Sequence, residues 1–448
     1  MNQSYLTIAL SLSATLTVAY AAAAGDKAKV TILAPQAGVR WEAGCKQVIA
    51  WEIGKFAAFS DAQIEFSSDG GKQWKPIVGV RKLKGEYLWQ APNAVSEKCR
   101  VRVREAVMGL TAETPDFAIV AAKPIPEYAW ELVTAKAAFA PRDGAGALTF
   151  QGRMWFLGGW NPGDRKHFPR ICNNEVWSSA DGKNWRLDKP NTFLDKSFDR
   201  AKDWEGRHTA GYAVHQNKMW IVGGDVNQGY YQSDVWSTSD GKSWANANPG
   251  KPVPWGPRAL HYTLTFKDKI WVIGGQTIPT FAKEKEAFYR DVWNSADGVH
   301  WTEVKPKEPF WPQRGMIGGA AVLNDRMWIL GGGTYDTPRN PTRLFYSDVW
   351  SSADGIDWKQ HTAFAPWEPR QYHDVAVFDN RLWVMEGYYK ANRNDVWHSA
   401  DGVNWYEVPK TPWRPRHAAS VFVHDGALWM VAGNNMESDV WKLTRKKR

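Results

Sequence analysis

From Lys29 to Ala122, apolar and polar positions alternate in short runs: VTIL, QVIAWEI, QIEFSS, EYLWQA, CRVRVRE and DFAIV, with turn residues between them. Alternation of period two turns one side of each run to a core and the other to solvent. Residues 28–122 therefore predict a small antiparallel β-sandwich. Within it, Ser67-Ser68-Asp69-Gly70-Gly71-Lys72-Gln73-Trp74 has the spacing of an Asp-box hairpin, in which Asp and Gly shape the turn and Trp packs beneath it. Lys123-Pro124-Ile125-Pro126 reads as a linker.

Beyond the linker the pattern repeats. GRMWFLGG recurs as NKMWIVGG, DKIWVIGG, DRMWILGG, NRLWVMEG and GALWMVAG. NEVWSSADGKNW recurs as SDVWSTSDGKSW, RDVWNSADGVHW, SDVWSSADGIDW and NDVWHSADGVNW. A sixth copy reaches SDVWKLTRKKR and lacks its last strand, while Ala129-Trp130-Glu131-Leu132-Val133 looks like the HWTEV and NWYEV segments that end other copies. The expectation is an all-β array of six four-stranded units over 127–448. The strand around Trp130 completes the sixth unit and leaves no open edge at the seam.

The repeat explains an unusual composition, 28 Trp in 448 residues. Trp155, Trp220, Trp271, Trp328, Trp383 and Trp429 fall in second strands, and Trp177, Trp236, Trp293, Trp350, Trp397 and Trp441 in third strands. Trp185, Trp244, Trp301, Trp358, Trp405 and the displaced Trp130 fall in fourth strands. Large rings at equivalent positions are expected to pack one unit on the next.

Paired glycines, an aromatic before them and a Trp a fixed distance later resemble the kelch repeat. The resemblance implies a six-bladed β-propeller of the galactose oxidase central-domain type, but no single activity, because kelch propellers include binding scaffolds, a copper oxidase and sugar epimerases. The stretch LAPQAGVRWEAGCKQVIAWEIG resembles the immunoglobulin-like modules found beside bacterial cell-surface and carbohydrate-active domains, which implies an accessory module.

The net charge is +9. With no basic block inside the chain, it favours an anionic ligand and gives no reason to expect nucleic acid; the tail Arg445-Lys446-Lys447-Arg448 reads as a solvated end. Residues 5–23, YLTIALSLSATLTVAYAAA, end in small residues, and Ala19-Tyr20-Ala21 fits a cleavage site, although no Lys or Arg precedes the apolar stretch. Residues 1–24 are thus expected to be a signal peptide, no other membrane span is expected, and the protein is expected to be periplasmic or secreted. Cys45 and Cys99 are expected to pair in the exported sandwich, leaving Cys172 free.

Each unit opens with an arginine: Arg142, Arg207, Arg258, Arg314, Arg370 and Arg416. Three residues earlier stands Phe139, Trp204, Trp255, Trp311, Trp367 or Trp413. In the kelch fold the first strand lines the central channel, so one face is expected to carry both sets. They read either as cement between blades or as a site, since arginine grips carboxylate, sulfate or phosphate with two prongs. Glu386 stands where other copies have Gly or Ala432; it is expected near Arg370, as an ion pair or, in an enzyme, as the working acid/base pair. His208 and His417 follow their arginines, and His261 and His373 sit three residues after theirs, on one side of their strands. Two channel histidines suit a metal, but kelch repeats often carry a structural His there, and none is expected. Pro369-Arg370-Gln371-Tyr372-His373 resembles the Tyr-His copper-ligand segment of galactose oxidases. Those enzymes also need a Cys-modified Tyr and seven blades, and Cys172 lacks a matching surround, so no cofactor is expected.

The loops after the glycine pairs are long at 160–174, 276–290 and 333–347 and short at 388–394 and 434–438, which predicts a wall with an entry. Trp160, Arg165, His167, Arg170, Tyr230, Tyr231, Phe281, Tyr289, Tyr335 and Arg339 are its candidates. The chain has no G-x-S-x-G, H-E-x-x-H, Walker or dinucleotide motif. The leading expectation is a binding protein for an anionic carbohydrate or other acidic small molecule. Its expected ligand-binding residues are the six arginines with His208, His261, Tyr372, His373, His417 and Trp160. One alternative is an isomerase resembling sialic acid mutarotases or epimerases, with Glu386 and Arg370 catalytic; another is a protein-interaction scaffold.

Overall fold

The computed structural model describes residues 29–447 except 54–60, 81–83, 166–167, 169–170, 225–228, 280–281 and 316–318. The signal-peptide expectation for 1–24 lies outside the described residues. Among those residues every regular element is a strand.

Residues from Val30 to Val120 form two sheets, one of them ordered Val30–Ala34, Lys46–Ile53, Lys84–Gln90. The other carries Arg40–Glu42, Phe117–Val120, Ser96–Glu105, Ala62–Ser67 and Lys75–Val80 in that order. One core unites them, built on Trp41, Trp51, Phe66, Trp89 and Phe117. The Asp-box turn forms as its sequence dictates: Ser67 Oγ takes the Gly71 N–H at 2.9 Å and Asp69 takes the Gln73 N–H at 2.9 Å.

The expected disulfide is corrected. All three cysteines are buried, and none is in a disulfide. Cys45 turns its Sγ toward Asn404 Oδ1 at 3.4 Å, while the Cys99 thiol faces its own Ser96 carbonyl at 3.5 Å. The two groups are directed to different neighbours, and burial pushes the Cys45 thiol up to about 11.

The repeat region builds six four-stranded antiparallel sheets. Their first strands are Gly146–Phe150, Gly211–His215, Tyr262–Phe266, Ala320–Leu323, Asp374–Phe378 and Ser420–His424. Each first strand touches the first strand of the next sheet, and the sixth touches the first. The sixth sheet is ordered Tyr128–Thr134, Val440–Arg445, Ala427–Val431, Ser420–His424, so the strand around Trp130 occupies its outer edge. Trp130 pairs in register with Leu443.

Two aromatic devices recur in these sheets, one between neighbours and one within each. In each Ser/Thr-x-Asp-Gly hairpin, Asp accepts backbone N–H groups, as Asp181 does from Asn184 at 2.8 Å, and Gly takes a left-handed φ, 71° at Gly182. A Cβ on Gly182 would lie 2.3 Å from Trp429 of the sixth sheet, and one on Gly241 would lie 2.1 Å from Trp155 of the first. Trp220, Trp271 and Trp328 cover Gly298, Gly355 and Gly402 in the same way. The hairpin glycine thus permits the neighbour's second-strand Trp to lie flat on the turn. Inside each sheet, the aromatic before the arginine meets the fourth-strand Trp edge-on or nearly so. Trp311–Trp358 is 5.8 Å at 87°, and Trp413 meets the displaced Trp130 at 5.9 Å and 83°.

The N-terminal sheets dock on the fifth repeat sheet through Asn404, whose Oδ1 accepts the Glu42 N–H at 2.8 Å and whose Nδ2 donates to Arg40 O at 3.1 Å. Tyr406 donates to Glu42, and Lys46 pairs with Glu407 at 2.7 Å.

Candidate functional site

The repeated arginine is a cross-link within each sheet. Arg314 is fully buried; its two terminal nitrogens meet Asp348 at 2.6 and 2.8 Å, and one also donates to Gly331 O at 3.0 Å. Arg207–Asp234, Arg258–Asp291, Arg370–Asp395 and Arg416–Asp439 repeat the arrangement, and Arg142 uses Glu175. Each carboxylate also accepts the indole N–H of the Trp two residues on, as Asp348 does from Trp350 at 2.7 Å. Burial alone would raise the Asp395 carboxyl, but the charge and hydrogen bonds of Arg370 outweigh it and hold it below the usual range. The expectation that these six arginines meet a ligand is therefore corrected. Their exposure is 0–1%, and their own sheets close the fork. Phe139, Trp204, Trp255, Trp311, Trp367 and Trp413 are buried with them.

His261 and His373 are also internal. Their Nε2 atoms bond Val222 O at 3.0 Å and Leu330 O at 2.9 Å, carbonyls of the preceding sheet, and burial pushes both rings down to about 3. His261 borders the channel cavity, and the Nδ1 of each ring has no hydrogen-bond partner among the described residues; no cluster of metal-binding side chains occurs among them.

Glu386 does not pair with Arg370 through its side chain. Arg370 donates to the Glu386 backbone carbonyl at 2.7 Å, while the carboxyl accepts the Gly387 N–H at 2.7 Å and meets Asp374. Glu386 is fully buried at φ 47°, the left-handed position that the other sheets fill mostly with glycine. Burial holds Asp374 up at about 7, and burial together with Asp374 holds Glu386 well above the usual carboxylate range. Asp374 borders a channel cavity of about 190 Å³ beside Tyr212 and Thr263.

A larger cavity, about 390 Å³, opens where the first strands begin and the loops after the glycine pairs converge. A backbone device aims side chains into it. The residue two after five of the six arginines takes a left-handed φ: Gly144 57°, Thr209 55°, Leu260 61°, Tyr372 54° and Ala418 50°. Four of these are non-glycine residues lining the cavity, and such strain persists only where surrounding structure enforces it. Trp160, His208, Tyr231, Tyr335, Tyr372, Tyr388 and His417 supply ring surface. Trp160 stacks on His208 at 6.1 Å, and Tyr372 lies 5.2 Å from His417.

Asp143 also lines this cavity, and the cavity's cationic side chain is Arg343. Its Nε donates to Gln371 Oε1 at 2.7 Å, and Gln371 is itself held by its amide donating to Leu344 O at 2.6 Å and Thr334 O at 3.1 Å. The guanidinium lies 4.5 Å from the Tyr335 ring and 5.3 Å from that of Tyr388. No carboxylate among the described residues forms an ion pair with it, in contrast to the six repeat arginines. Gln276 also lines the cavity: its Oε1 accepts the Tyr335 N–H at 3.2 Å, and its buried Nε2 has no partner among the described residues. Burial, followed by the charge of Arg343, lowers His417 to about 4, so its ring is neutral at pH 7.

Of the sequence candidates, Trp160, His208, Tyr231, Tyr335, Tyr372 and His417 meet in the cavity. Tyr230 instead donates to Glu205 at 2.5 Å, Tyr289 lies 3.6 Å beneath the Arg258 guanidinium, and Arg165 and Arg339 are exposed outside the lining. His167, Arg170 and Phe281 lie outside the described residues. Arg343, Gln276, Tyr388, Asp143 and Asn434 were not singled out by the repeat. For Arg343 a signal exists, because it is an arginine within a long loop and outside the repeated set. A cleft of similar size, about 380 Å³, lies between the N-terminal sheets and Lys359–Phe364. Its Arg40 and Asp401 are engaged by Glu97 and by the turn at Asn404.

No protein-family model matches the chain. The leucine-zipper-like transcriptional regulator 1 homolog of Drosophila melanogaster is 27% identical over 135 residues, which is 29% of this chain and 13% of that protein, so the match spans far less than two thirds of the relative. The solved structure of YjhT is similar with a TM-score of 0.44 and 14% identity over 69% of this chain and 90% of that one. The Bombyx mori GH32 beta-fructofuranosidase BmSUC1 is similar with a TM-score of 0.32 and 10% identity, covering 52% of this chain and 58% of its own.

Proposed function

We propose that residues 127–448 form a six-bladed kelch-type β-propeller behind an immunoglobulin-like module at 28–122, and that this exported protein binds an anionic carbohydrate in the cavity around Arg343. The cyclic contacts of the six first strands, the second-strand Trp on the next hairpin glycine and the strand at Trp130 support the architecture. One observation carries the function: every repeat arginine has its own carboxylate, whereas Arg343 has none among the described residues and stands in a wall of tyrosines. Terminal guanidinium N–H groups suit a carboxylate, sulfate or phosphate, and ring faces suit the apolar face of a sugar. The cavity volume falls within the usual small-ligand range of about 300–1,000 Å³. A glycan array probed with the purified protein tests this: binding to acidic glycans over their neutral counterparts supports it, and binding to neither class refutes it. The isomerase reading keeps one specific support, the neutral His417 at the cavity wall. Exchange NMR following anomerisation of N-acetylneuraminic acid tests that reading separately.

A further inference from the structure

His417 Nδ1 lies 2.7 Å from Asn392 Oδ1. Asn392 Nδ2 donates to Asn434 Oδ1 at 3.0 Å, and Asn434 Nδ2 points to Asp143 Oδ2 at 3.5 Å. The chain of contacts therefore runs from the sixth sheet's His417 through the fifth and sixth loops to Asp143 beside the first sheet. Its direction follows from its end. A carboxylate only accepts, so Asn434 must turn its amide N–H to Asp143 and its oxygen to Asn392. Asn392 must then turn its N–H to Asn434 and its oxygen to His417. That oxygen requires a proton on Nδ1. Reversing either amide would set two oxygens, or two N–H groups, against each other.

We infer that the Asp143–Asn434–Asn392 relay holds His417 with its proton on Nδ1 and an unshared pair on Nε2, making Nε2 the cavity's acceptor for a ligand hydroxyl. This rests on the proposed binding of an anionic sugar and narrows it: the ligand is a hydroxy acid, whose anion meets Arg343 and whose hydroxyl donates to His417. Tyr372 and Tyr388, 5.2 and 5.8 Å from the ring, hold its plane, and no other hydrogen bond among the described residues engages it. Asn392 and Asp143 are positioning residues, and His417 is the contacting one.

Two measurements decide the inference. Long-range proton–nitrogen NMR on histidine-labelled protein without ligand reads the tautomer, with the His417 resonance identified by its loss in His417→Phe. The expected result is a protonated Nδ1 in the wild type and a mixed tautomer in Asn392→Ala and Asp143→Asn. A protonated Nε2 in the wild type, or an unchanged tautomer in both variants, overturns the relay. The second measurement titrates D-glucuronate and cyclohexanecarboxylate, rings that share a carboxylate and differ in hydroxyls. His417→Phe should weaken glucuronate by about tenfold, the scale of one hydrogen bond with a buried acceptor, and leave cyclohexanecarboxylate unchanged. Equal loss for both acids, or loss for neither, overturns the hydroxyl role. If the wild type binds neither acid, both the anionic-sugar reading and the hydroxyl role fail, and the tautomer measured by NMR alone decides whether the relay exists.

Discussion

The buried carboxyl pair Asp374–Glu386 makes stability depend on pH in a direction opposite to that of the repeat ion pairs. Asp374→Asn is the perturbation that isolates it. Burial raises the Asp374 carboxyl from 3.8 to about 7. In that interval the folded protein binds more protons than the unfolded chain. The contribution is therefore fully present below the unfolded value and is lost as pH rises through the folded one. About three pH units at ~1.36 kcal/mol each would give about 4 kcal/mol as an upper bound. Asp374 borders the channel and is only partly shielded, so a difference of about 2–3 kcal/mol between pH 4.5 and 8 is the working expectation. Urea unfolding of wild type and Asp374→Asn at both pH values reads it. The variant should resemble the wild type at the lower pH and exceed it at the higher. A difference independent of pH, or a variant weaker than wild type at pH 8, would show that the pair is ionised and compensated, and would refute the reasoning.

Other outcomes follow from the same structure. Asp348→Ala leaves the Arg314 guanidinium buried without its partner and should cost about 3–5 kcal/mol, whereas exchanging both residues for apolar ones should cost less than the two single changes summed; a double-mutant cycle in urea checks this. Deleting residues 127–134 strips the outer strand from the sixth sheet and exposes Trp413, so the melting temperature should fall; an unchanged melt contradicts the seam. Alkylation after unfolding without reductant should find three reactive thiols, and a Cys45–Cys99 bridge in peptide mapping would contradict the free, divergent thiols.

The scaffold was legible because the repeat writes the same physical problem six times. The Trp of five second strands needs a Cβ-free turn in the neighbouring sheet, so the Ser/Thr-x-Asp-Gly signature and the Trp spacing appear together. The missing strand after Trp441 and the orphan Trp130 segment likewise predicted their pairing. The site was less legible, and for a related reason. Repetition draws attention to Arg314 and its equivalents, yet a residue present in every sheet answers a need of every sheet, here the carboxylate of the DVW segment. The acid sits some 23–34 residues from its arginine, and alternation alone does not show that the two meet. Glu386 breaks the repeat visibly, but its partner Asp374 belongs to the first strand, where an acid at a strand start looks unremarkable. Arg343, Gln276 and Asn434 come from unrelated loops, and only the folded ring brings them together.

The central claim is that Arg343 recognises an anion in a tyrosine-lined cavity. Isothermal titration of D-glucuronate and D-glucose into wild type and Arg343→Gln tests it most directly. The account predicts measurable binding of glucuronate over glucose in the wild type and about 10- to 100-fold weaker glucuronate binding in the variant, the scale of a charge-assisted contact. The variant should keep its melting temperature, since Arg343 has no ion-pair partner among the described residues to abandon. Glucuronate affinity unchanged by Arg343→Gln would contradict the account.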